Sequence, residues 1–219
     1  MMFERTLPRY GVENETNDKI LNISTELFAI RGYDAVSLRD IAKAVGIKEP
    51  SIYYYYRSKE ALWRDVLSRF EAGYRHYFDW LRQENTNTDS ARALLDNFFN
   101  DEFVNMGDPM GCLGMSLALK EQHSRDLARR QVFDLFYNFS VNSIKADFDR
   151  LIDIGALPPS DTKTIATLLM IGVMVTNDIR VHEYLGMQPP VDCKGIYAGL
   201  RTMIEMALNI PSPQAKPDH

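Results

Sequence analysis

Between Lys48 and Lys59 the chain gathers two lysines, an arginine, two serines and four consecutive tyrosines, in the order Lys48-Glu49-Pro50-Ser51-Ile52-Tyr53-Tyr54-Tyr55-Tyr56-Arg57-Ser58-Lys59. Such groups can read and grip nucleic acid. Lysine donates to guanine O6 and N7, a serine hydroxyl bonds several bases, and a proline ring meets the methyl of thymine. Glu49 is the odd member: an acid repels phosphate unless it accepts from cytosine N4, and a plain surface charge accounts for it equally well. Bond-making chemistry finds less support. Cys112, His123 and His182 supply a thiol and two imidazoles at spacings that fix no shared geometry, and no GxSxG, HExxH or glycine-rich phosphate loop is present. The two cysteines, Cys112 and Cys193, form no CxxC pair and read as reduced thiols instead of a disulfide scaffold or zinc site. We therefore expect a binding protein with no catalytic residues, no metal and no cofactor.

The elements that present the Lys48–Lys59 run follow from spacing. From Glu15 to Arg31, Ile20, Ile23, Leu27 and Ile30 recur at helical period, and Gly32 stops the pattern. Ser37-Leu38-Arg39-Asp40 has the form of a capping box, opening a short helix whose inward side is Leu38, Ile41, Ala42 and Val45. Gly46 closes it with a left-handed turn, and Pro50 is tolerated only in the first turn of a third helix that starts near Glu49 and ends around Tyr56. Ile52 and Tyr56, four residues apart, share the inward face, while Tyr53 and Tyr54 point elsewhere. Two short helices around a glycine turn are the arrangement that lays a recognition helix into the major groove. On periodicity alone, three short helices packed as an ordinary hairpin fit as well.

Ser58 caps a long helix to about Gln83 that carries Leu62, Val66, Phe70 and Tyr74 inward, and the polar run from Glu84 to Thr88 reads as a loop. Helical period resumes over Asp89–Asn105, Leu113–Gln122, Ser124–Ile154, Thr162–Leu185 and Val191–Leu208, with a break at Gly107-Asp108-Pro109 and prolines between the last elements. No strand alternation appears, so the fold class is all-α: an N-terminal helix-turn-helix domain over 15–60, a larger helical body over 61–210, and flexible ends at 1–14 and 211–219. Length allows this and little more, since 219 residues hold one small module and one substantial body. The net charge of −5 opposes phosphate binding for the chain as a whole. From Arg31 to Arg64, however, seven basic residues stand against four acidic ones, which leaves this stretch at +3 and the remainder at −8. A basic head on an acidic body suits DNA binding at one end only. No signal-peptide pattern opens the chain, and the apolar stretch Thr164–Val175 is shorter than the roughly 20 residues of a spanning helix, so a cytoplasmic protein with no membrane partner is expected.

The string from Ser37 to Leu62, SLRDIAKAVGIKEPSIYYYYRSKEAL, together with Phe28 to Val36 before it, closely resembles the DNA-binding signature of the TetR family. The resemblance covers about a quarter of the chain; beyond it only length and helical layout match. It implies phosphate contacts from Tyr53 and Lys59, with Ser37, Tyr54 and Tyr55 on the backbone-facing side, and base reading by Lys48, Glu49, Pro50 and Ser51. It further implies a sequence-specific repressor on double-stranded, palindromic operator DNA, a homodimer formed through the last two helices, and an unidentified small-molecule effector in the body. Candidate ligand-lining residues are Phe99, Phe103, Met115, Phe133, Tyr137, Met170, Met174 and Asn177, each of which core packing explains as well. For the dimer, the stripes Leu168, Leu169, Gly172, Val175 and Ile179, then Ile196, Gly199, Leu200, Met203 and Ala207, offer small residues for close helix approach.

Overall fold

The computed structural model describes residues 15–99 and 109–210, and within them nine α-helices and no strand. The first three are α1 (Glu15–Arg31), α2 (Leu38–Val45) and α3 (Glu49–Tyr55). Local chemistry sets their ends. Ser37 Oγ accepts from the Asp40 amide while the Asp40 carboxylate accepts from the Ser37 amide at 2.9 Å, a complete capping box. Gly46 lies at φ +85°, and its amide and that of Ile47 both return to Ala42 O, closing α2 as a left-handed cap. α3 carries Pro50 in its first turn, where the missing N–H leaves nothing unsatisfied. Ile20, Phe28, Ile41, Ala42, Val45 and Ile52 fill the space among these helices and are almost wholly buried.

Six further helices make the body: α4 (Lys59–Thr86), α5 (Ala91–Phe98), α6 (Pro109–Glu121), α7 (Leu127–Asp153), α8 (Thr162–Tyr184) and α9 (Cys193–Ala207). α4 is common to head and body. Leu62, Trp63 and Val66 are buried near its start, and Tyr74, Phe78 and Leu81 are buried further along, where it packs on α7. At 28 residues it is about 42 Å long. α8 sits at the centre of the body, packed against α6, α7 and α9, with Ala166, Leu169, Met170 and Val173 fully buried. By length and composition α8 is apolar enough to cross a membrane, but half of that stretch is buried against its neighbours. Across α5 and α9, Arg201 bridges Asp96 and Glu205, and Arg92 reaches the same Glu205 at 3.4 Å.

Two expectations change. α4 continues through Glu84, Asn85 and Thr86, which composition assigns to a loop. A polar knot explains the extension: Asn85 is buried, donates to Asp147 at 2.7 Å and accepts from Asn97 at 3.0 Å, while Arg150 donates to the carbonyls of Asn85 and Thr88. A guanidinium on the last carbonyls of a helix satisfies groups the helix itself leaves orphaned. The small residue Gly172 serves packing within the chain, since a Cβ there would meet Leu200 Cδ2 at 2.6 Å, and Leu169 is buried rather than offered outward. The expected break at Gly107-Asp108 and the ends 1–14 and 211–219 lie outside the described residues, as does Phe103.

Candidate nucleic-acid interface

A short helix can serve as a probe only if one face is fixed and the other bare. In α3, Ile52 is fully buried and Tyr56, just past its end, is 4% exposed, whereas Tyr53 is 50% and Tyr54 85% exposed. Lys48, Glu49, Pro50 and Ser51 are all exposed at the α3 start. Tyr55 is half-buried, its ring edge-on to Tyr54 at 5.2 Å. Burial pushes the Tyr56 phenol above its usual pKa, keeping it neutral as a core residue requires. The helix thus rests on Ile52 and Tyr56 and turns ammonium, hydroxyl and phenol groups outward.

Beside it, Ser37, Arg39, Asp40, Glu49, Tyr53 and Lys59 line a shallow depression of about 390 Å³ between the start of α2 and α3. Asp40 is held below the usual carboxylate range, first by the Ser37 hydroxyl and then by the Ser37 amide, which donate to it. Its charge is therefore directed into the cap. Arg39 is the member that sequence reasoning missed; the signal available was its place two residues after the Ser37 cap, inside the basic stretch.

Lys59 has a task that its resemblance-based role did not include. Its Nζ donates to Tyr33 O and Val36 O, both at 2.8 Å, and lies 4.0 Å from the centre of the Tyr33 ring. The Tyr33 ring packs on Phe28 and Trp63, with centroids 5.5 and 5.0 Å away. The ammonium therefore anchors the loop between α1 and α2 to the start of α4, through two charge-assisted bonds and a cation–π contact.

The described ligand-lining candidates are spread over the end of α5 and over α6, α7 and α8. Met115, Met170, Met174 and Asn177 are buried in packing, and Asn177 Oδ1 accepts from Tyr197 at 3.1 Å, joining α8 to α9. Phe133 and Tyr137 stack in parallel at 5.5 Å and are half-buried, as is Phe99. On the dimer stripes, Leu168, Val175, Ile196 and Met203 are exposed, and Ile171 and Met206 join them.

A capped pair of short helices with a polar-faced second member, carried on a larger helical body, defines a helix-turn-helix protein. Residues 20–66 match the family described as bacterial regulatory proteins, tetR family, which supports a regulator of that family. It is similar to the biofilm operon icaADBC HTH-type negative transcriptional regulator IcaR of Staphylococcus epidermidis, at 34% identity over 82 residues, 37% of this chain and 43% of that protein. The chain thus aligns with less than half the length of that curated relative. Among solved structures, the transcriptional regulator FadR from Bacillus subtilis, in complex with stearoyl-CoA, shares the fold at a TM-score of 0.61 and 18% identity, covering 85% of this chain and 96% of that one. A regulator from Saccharomonospora viridis, in complex with choline, does so at 0.62 and 21%, covering 88% and 97%.

Proposed function

We propose that this chain is a cytoplasmic, dimeric transcriptional repressor that lays α3 of each protomer into successive major grooves of a palindromic operator, and leaves it when a small, largely apolar effector binds the body. Residues 15–60 form the DNA-binding unit and 61–210 the sensing and dimerising body. The observation that carries this reading is the division of α3 between a buried side, Ile52 and Tyr56, and a bare side bearing Lys48, Ser51, Tyr53 and Tyr54. Tyr53 and Lys59 serve the phosphate backbone, with Ser37, Tyr54 and Tyr55 on the backbone-facing side, and Lys48, Glu49, Pro50 and Ser51 face base edges.

Repression is supported by the negative regulator to which the head is similar. Dimerisation is supported by the exposed aliphatic face of α8 and α9, on which a second copy would build a four-helix bundle. Effector control is supported by the fold, which holds stearoyl-CoA in one related structure and choline in another. Thioethers and stacked rings at Met115, Met170, Met174, Phe133 and Tyr137 can repack around such a molecule.

The test is fluorescence anisotropy with the purified protein and duplexes tiled across the DNA flanking its own gene. One fragment should bind with Kd of about 10 nM or tighter at physiological salt. Tyr53→Ala combined with Lys48→Ala should weaken it about 100-fold, at roughly 1–2 kcal/mol for each lost contact. Indifference to every duplex at low ionic strength would refute the reading.

A further inference from the structure

α4 is the evident connection between body and head, but a second one bypasses it. Glu121 ends α6 and is only 4% exposed, and its Oε1 accepts the backbone amide of Tyr33 at 3.1 Å. Earlier in the same helix, Ser116 Oγ donates to Ala29 O at 3.2 Å, and α6 packs along α1 on one side and α8 on the other. Tyr33 lies in the six-residue link, 32–37, between α1 and α2. That link has little slack: the Tyr33 amide is held by Glu121, the carbonyls of Tyr33 and Val36 by Lys59, and Ser37 by the α2 cap. A buried carboxylate cannot let go of its donor cheaply, so the contact resists separation of α6 from the link.

We propose that Glu121 is a positioning residue that latches α6 to the α1–α2 link, so that displacement of α6 within the body reaches the start of α2, and through it α3, without travelling along α4. The inference rests on the DNA-binding reading for its functional consequence and on the Glu121–Tyr33 bond for its structural one.

Gly114 provides a built-in way to displace α6, because a Cβ there would lie 2.9 Å from Phe70 Cδ1 on α4. The experiment is a double-mutant cycle on the full chain, Gly114→Ala with and without Glu121→Ala, read by anisotropy on the flanking DNA fragment that the wild type binds. Gly114→Ala alone should change affinity at least about fivefold, Glu121→Ala alone should weaken it about tenfold, and the double variant should match Glu121→Ala. Glu121→Gln keeps an oxygen acceptor and should stay within about threefold of wild type. An effect of Gly114→Ala equal in both backgrounds, or none in either, overturns the proposal and leaves transmission to α4.

Residue-resolved hydrogen exchange decides the latch even if no DNA binds, a result that would sink the DNA-binding reading alone. The Tyr33 amide should be protected in wild type and in Glu121→Gln, and should exchange at least about tenfold faster in Glu121→Ala with α8 unchanged. If Glu121→Ala fails to fold, the wild-type measurement still decides: a Tyr33 amide exchanging as fast as those of Asp34 and Ala35 refutes the latch.

Discussion

The exposed face of α3 and the exposed face of α8 and α9 are both left uncovered by the described residues, yet they are made of opposite materials. The first presents phenols, hydroxyls and an ammonium on a backbone fixed by caps and by the Lys59 anchor. The second presents Leu168, Ile171, Val175, Ile196, Met203 and Met206, six apolar side chains on two long helices. A polar-tipped face can stay in water until a charged partner arrives, whereas an aliphatic one gains most by being covered permanently. Under the proposed function the contrast gives the two surfaces different work, one to recognise and the other to assemble, and damage to either should be separable by experiment.

The largest effect should come from the assembling face. Val175→Glu together with Met203→Glu places charge where a second copy would pack, and both positions are solvent-exposed, so the protomer should still fold. Sedimentation velocity should show a monomer, and operator affinity should fall by about 100-fold or more, because two linked heads bind far more tightly than one. A variant that remains dimeric would move the interface elsewhere and break the comparison.

Next in size is the recognising face. Tyr53→Ala and Tyr54→Ala should each weaken operator binding about tenfold while sedimentation stays that of the dimer. Lys48→Ala should in addition loosen discrimination among operator variants if it reads a base, or reduce the salt slope by about one if it meets a phosphate. Loss of dimerisation in either tyrosine variant would show that the two surfaces are not independent.

Which parts of this were legible in the sequence depends on how far each cause lies along the chain. Ser37 with Asp40, Gly46 and Pro50 act within a turn of themselves, so α2 and α3 could be placed from spacing alone, and Ile52 and Tyr56 could be assigned inward from their separation. The end of α4 could not, because the group that extends it, Arg150, lies 65 residues from the Asn85 carbonyl it holds. Lys59 was legible as a cation but not as an anchor, since its acceptors are backbone carbonyls, which carry no sequence signal. Glu121 was invisible for the same reason. Its partner is the amide of Tyr33, 88 residues away.

Stability should follow these distances. Arg150→Ala strips two charge-assisted bonds from the end of α4 and should cost about 2 kcal/mol, measured by urea denaturation, with operator affinity little changed. A drop of that size with DNA binding lost as well would mean that the far end of α4 governs the head, against the separation argued above.

The smallest effect concerns two aspartates whose surroundings push in opposite directions. Asp40 in the head is held below the usual carboxylate range by the Ser37 hydroxyl and amide, so its stabilisation is present above the ordinary aspartate pKa and is lost as pH falls through the lowered value. Asp147 in the body is shifted upward by burial, opposed by its bond from Asn85 and the nearby Arg150. Its charged form is the disfavoured one in the fold, so its contribution improves as pH falls through the raised value. Urea denaturation of wild type, Asp40→Asn and Asp147→Asn across pH 3–7 should therefore give difference curves of opposite slope. Wild type should lose its advantage over Asp40→Asn on acidification and gain relative to Asp147→Asn. Parallel curves would mean that the half-buried aspartate is as well served by its partners as the exposed cap, and that head and body do not differ in how they hold charge.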